Sequence, residues 1–118
     1  MKTNSIINSI IESIQDKKGQ KICTIDLKDI PSAPASAFII CQGKTPSQTT
    51  AIADHVAEMT IKNSKIKPAH TDGMRNGQWI IMDYGDIFVH IFTPEFREFY
   101  NLEDLWADGD IQIIPELD

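Results

Sequence analysis

The sequence predicts an α/β protein in which a mixed β-sheet is packed with α-helices. Three observations lead there. Apolar residues recur at helical spacing in three stretches, and short strand-like segments lie between them. One of those segments, Ala37 to Cys41, is apolar throughout, as befits a strand covered on both faces. The order is helix, strand, strand, helix, strand, strand, helix, strand, and no internal repeat interrupts it. A chain of 118 residues has room for a single domain, 1–118, since one core is usually built from about 100 to 150 residues.

The elements follow in order. Ile6, Ile7, Ile10, Ile11 and Ile14 form one helical stripe between Asn4 and Lys18, with Thr3 or Asn4 as cap and Gly19 as terminator. Lys21 to Leu27 reads as a strand through Ile22, Cys23, Ile25 and Leu27, and a Pro-containing loop, Asp29 to Ala35, leads to the apolar strand. Thr45-Pro46 opens a helix whose stripe is Ile52, Ala53, Val56 and Met59 and which runs to about Asn63. Ser64 to Gln78, broken by Pro68, Gly73 and Gly77, is a loop that admits a short extended piece. Trp79 to Tyr84 and Ile87 to Phe92 form a hairpin across Gly85-Asp86. Its register stays open: a two-residue loop pairs Trp79 with His90 but opposes Asp83 and Asp86, and a loop one residue longer faces Trp79 with Ile91. Thr93-Pro94-Glu95 starts a closing helix with Phe96, Phe99, Tyr100, Leu102, Leu105 and Trp106 at helical spacing, and Ile111 to Ile114 is a terminal strand.

Charge and composition exclude several classes. Eleven basic residues stand against 17 acidic ones, a net charge of −6, so a phosphate-gripping hold on RNA or DNA is not the expected primary activity. No apolar run approaches the roughly 18 residues of a membrane span, and Met1 to Asn8 does not read as a leader, so a cytoplasmic protein is expected. Cys23 and Cys41, both within apolar strands, read as reduced core residues.

The candidate chemistry is thin. Gly43-Lys44-Thr45 follows a strand and opens a helix, yet the earlier glycine of a phosphate-binding loop is replaced by Phe38, which leaves a capped turn. His55, His70 and His90 lie far apart with no Cys or His partner at metal-ligand spacing, and Asp83 and Asp86 read as turn residues. No nucleophile elbow or Cys-His pair is visible. Neither a metal nor a cofactor is expected, and no catalytic residue is assigned.

The densest part of the chain is Trp79 to Trp106, which holds both Trp, both Tyr and four of the five Phe. These aromatics serve either as core or, with Arg97 and Glu103, as a patch for a protein partner, because Trp, Tyr and Arg are common interface anchors. The run from Trp79 through Asp83-Tyr84-Gly85-Asp86 and His90-Ile91-Phe92, then Arg97, Tyr100, Leu102-Glu103 and Leu105-Trp106, resembles the signature of the ribosomal silencing factor (Iojap) family. Thr24 to Leu27, Phe38 to Cys41 and Gln48 to Glu58 extend the resemblance over nearly the whole chain. The departures are Ser36-Ala37, Gly43-Lys44-Thr45-Pro46 and Asp72-Gly73, so the resemblance carries no role to the loop between the second strand and the second helix.

The resemblance implies a nucleotidyltransferase-like topology without the catalytic motif. It also implies a translational repressor that binds the large ribosomal subunit through ribosomal protein number fourteen and blocks joining of the small subunit. Carried over position by position, the partner surface falls on Trp79, His90, Phe92, Arg97, Tyr100, Leu102, Glu103 and Trp106, with little direct contact to nucleic acid. Homodimerisation through an edge strand or the aromatic patch is compatible with that role. The alternative is a residual nucleotide-binding enzyme of nucleotidyl or phosphoryl transfer using Asp83, Asp86 and Lys44, which rests on fold analogy alone.

Overall fold

A computed structural model describes residues 2–116, and its elements run α1 (Lys2–Asp16), β1 (Gln20–Asp26), β2 (Ala37–Gln42), α2 (Pro46–Ser64), β3 (His70–Asp72), β4 (Trp79–Asp83), β5 (Ile87–Phe92), α3 (Pro94–Tyr100), α4 (Leu102–Leu105) and β6 (Asp110–Ile113). The six strands form one sheet in the order β3-β4-β5-β2-β1-β6. Only β2 and β5 run parallel, which makes the sheet mixed as expected. β2, the apolar run, is central and buried at every position.

Strand alternation divides the interior in two. On one face Ile10 and Ile14 of α1 and Ile52, Ala53 and Val56 of α2 pack on Ile39, Cys41, Ile80, Met82, Val89 and Ile91. On the other, Phe38, Ile40, Cys23, Ile25 and Phe92 meet Leu102 of α4, with Trp79, Phe88, Phe96 and Trp106 partly buried around them. Both helix-opening signals of α2 are realised: Pro46 stands in the first turn and Thr45 Oγ1 accepts from the Gln48 amide at 3.2 Å. Gln48 Oε1 in turn accepts at 2.8 Å from the amide of Lys44, the residue ahead of the cap, which ties the incoming chain to the first turn.

The short extended piece admitted after α2 is present as β3, an edge strand paired with β4. Three expectations change. α1 starts at Lys2, so Thr3 and Asn4 lie in its first turn rather than ahead of it, and the left-handed residue at its end is Lys18 (φ 63°), not Gly19. The closing helix is two helices, because Asn101 adopts a left-handed conformation (φ 43°) and ends α3, as Asn tolerates better than most residues. Neither hairpin register holds: Trp79 faces Phe92, and Asp83 faces Phe88. The two-residue loop is Gly85-Asp86, with the Tyr84 amide donating to the Ile87 carbonyl at 2.9 Å. Gly85 supplies the positive φ (90°) that such turns need at their first position, and the shift leaves Asp83 free to accept from the Gly85 amide at 2.7 Å instead of opposing Asp86.

Candidate functional site

The site follows from the odd positions of β4 and the even positions of β5. Trp79 of β4 and Phe88, His90 and Phe92 of β5 project to the face away from α1 and α2, where Phe38 of β2 joins them. Trp79 stacks on Phe92 with centroids 5.1 Å apart and leans on Tyr100 of α3 at 4.5 Å. Gly73 lies directly against this corner: at φ 89° a Cβ there would sit 2.0 Å from the Trp79 carbonyl oxygen, so only glycine lets the loop pass.

Trp79 also donates its indole Nε1–H to His90 Nδ1 at 3.1 Å. An indole nitrogen is only a donor, so His90 accepts at Nδ1 and carries its proton on Nε2 as the neutral imidazole. Nε2 has no hydrogen-bond partner among the described residues, and the ring lies edge-on to Phe38 at 4.5 Å. Burial among these rings pushes the His90 pKa down from 6.5 to about 4.

Arg97 fastens α3 to the sheet. Its Nε and Nη2 donate to Glu103 Oε2 at 3.2 and 2.8 Å, Nη1 reaches the Lys21 carbonyl, and Nη2 lies 3.7 Å from Cys23 Sγ. The Lys21 carbonyl belongs to the irregular start of β1, where Lys21 is left-handed (φ 51°) and the ladder with β2 shifts. Leu102 turns down into the core beneath this pair, and Trp106 packs edge-on to Phe38 at 6.0 Å. Both cysteines are buried thiols, and burial raises Cys23 to about 11 and Cys41 to about 12.

The structure therefore brings all eight sequence-selected residues into one region but at different depths. His90, Phe92 and Leu102 are buried, Trp79, Arg97, Glu103 and Trp106 are half-buried, and Tyr100 is exposed. The surface above them belongs to residues outside that set: Phe99 is 79% and Leu105 is 70% exposed. The signal that points to them is Asn101, whose turn sends Leu102 inward while Phe99, Tyr100 and Leu105 stay out. The charge of the chain is unevenly spread along the sequence. From position 95 onward the chain has eight of its 17 acidic residues and one of its 11 basic ones, Arg97, which is committed to Glu103. The remaining 94 residues carry nine acidic and ten basic side chains, so the net −6 is carried by the last 24 residues of the sequence.

Lys44, Asp83 and Asp86 do not converge. The two aspartates flank the turn beside the start of β2, where Ala37 pairs with Ile87, and Lys44 follows its end, where Gln42 pairs with Phe92. Five strand residues, roughly 16 Å, separate those ends. Among the described residues no cluster of three or more His, Cys, Asp or Glu could hold a metal ion, and no helix is long and apolar enough to cross a membrane.

The molecule is thus an α/β protein whose mixed sheet has one closed aliphatic face and one aromatic face with exposed apolar side chains beside it. The family described as "Ribosomal silencing factor during starvation" matches residues 1–118, and the chain belongs to it. It is 32% identical over 109 residues to ribosomal silencing factor RsfS of Halalkalibacterium halodurans, covering 92% of each chain. It is likewise 32% identical to the Bacillus subtilis protein of that name, covering 94% of this chain and 92% of the relative. A crystal structure of a Chromobacterium violaceum protein superposes with a TM-score of 0.84 at 29% identity, covering 91% of this chain and 88% of that one.

Proposed function

We propose that this chain represses translation in the cytoplasm by binding the large ribosomal subunit through ribosomal protein number fourteen and standing where the small subunit must dock. The observation that carries the reading is the α3–α4 corner, where Phe99, Tyr100 and Leu105 stand exposed, Tyr100 rests on Trp79, and the sequence is at its richest in acidic residues. Exposed aromatic and Leu side chains supply the apolar area an interface buries, while the acids select a basic protein surface and repel RNA phosphates. The mechanism is occlusion and asks for no chemistry: Arg97, Glu103, His90 and Phe92 hold the surface in shape from beneath.

The test is a joining assay with purified subunits. The protein should cosediment with isolated large subunits and reduce formation of complete ribosomes, and the effect should weaken as salt rises because acidic steering is screened. Normal joining at saturating protein would refute the reading.

A further inference from the structure

The two edges of the sheet differ. β3 is three polar residues long, and Pro68 and Gly73 lie close on either side. β6 is longer and its backbone geometry leaves a template. The Ile114 amide donates to the Ile22 carbonyl at 2.9 Å, and residues of an antiparallel pair alternate between facing the partner and facing away. Gln112 and Asp110 therefore direct their backbone groups to β1, and Ile111 and Ile113 direct theirs outward, where no described strand meets them. The strand itself carries neither Pro nor Lys, residues that commonly blunt an edge, although Pro115 lies two residues beyond it as Pro68 lies two residues before β3.

The side chains on that edge point to what covers it. Ile113 stands opposite Cys23 on the aromatic side of the sheet and is 80% exposed. Beside it lies a groove of about 460 Å³ whose lining includes Lys21, Cys23, Arg97, Glu103, Ile111 and Glu116, so the edge is continuous with the α3–α4 corner. Asp108, Asp110 and Glu116 flank it. Two copies joined β6 to β6 would set those acids against each other, whereas a basic strand would neutralise them.

We propose that the open edge of β6 receives an extended, basic segment of the protein partner as a seventh strand. This rests on the ribosome-binding reading and adds a backbone-mediated half to the side-chain patch.

Ile113→Pro tests it, because it removes an outward amide while sparing the bonds to β1. Ile113→Lys, at an exposed side chain, serves as the second variant, and circular dichroism confirms that each is folded. Both are titrated against isolated large ribosomal subunits by cosedimentation, and amide hydrogen exchange of Ile111 and Ile113 is followed with and without subunits. The proposal expects binding about tenfold weaker for Ile113→Pro, a loss in the same direction for Ile113→Lys, and slowed exchange of both wild-type amides in the complex. If the wild type binds while both variants bind equally well and the amides stay fast, the edge is not used and the ribosome-binding reading stands. If the wild type itself does not bind, that reading fails and this one with it. Amides that slow with protein concentration alone, with a dimer in sedimentation, would make a second copy the occupant and overturn the basic segment.

Discussion

The two faces of the sheet are made of different materials. Toward α1 and α2 the interior is almost entirely Ile, Val, Ala and Met, and its strand residues are sealed by two long helices. Toward α3 and α4 it is aromatic, with a histidine, a half-buried ion pair and helices of seven and four residues as its cover. Interlocked aliphatic side chains hold a fold well but offer little to recognise. Aromatic rings with polar handles support a surface and leave part of it open, at some cost in burial. Under the proposed function, stability and recognition fall on opposite sides of one sheet.

Changes on each side should separate those properties. The largest effect is expected from Ile39→Ala, which opens a cavity on the aliphatic face at a fully buried position and should cost about 2–5 kcal/mol in chemical denaturation. The aromatic face should impose a pH dependence. His90 is held neutral with its pKa lowered to about 4, while the unfolded chain takes up a proton near 6.5. Its contribution is thus complete above pH 6.5 and is lost as pH falls to about 4. The stability of the wild type relative to His90→Asn should drop by about 3 kcal/mol across that window, and a difference constant with pH would refute the assignment. Arg97→Ala leaves Glu103 without its cation and should cost about 2 kcal/mol, read from the thermal unfolding of both proteins. Phe99→Ala should be the mildest for the fold, within about 0.5 kcal/mol, since the ring is 79% exposed.

The division between faces was partly legible before the structure. The five isoleucines of α1 and the uninterrupted apolar run of β2 announce the closed face, because periodicity reports burial directly. The aromatic region was legible as a composition and as a family signature, but not its depth. Whether Phe92 or Phe99 lies inside depends on the helix break at Asn101 and on the hairpin register, and both are set by backbone angles at single residues, Asn101 and Gly85. β3 was legible only as a short extended piece without bounds, because three exposed polar residues carry no hydrophobic pattern and the strand is defined by its pairing with β4. The concentration of acid after position 95 was present in the sequence and is hidden by a net charge summed over the chain.

The central claim is that recognition belongs to the aromatic side. Leu105 and Ile61 provide the direct comparison, since both are exposed apolar residues, one on α4 and one on α2. The measurement is the affinity of Leu105→Asp and Ile61→Asp for isolated large ribosomal subunits under one salt condition. The account predicts about a tenfold loss for Leu105→Asp and a change within about twofold for Ile61→Asp. Equal affinities for the two variants, or a loss confined to Ile61→Asp, would contradict it.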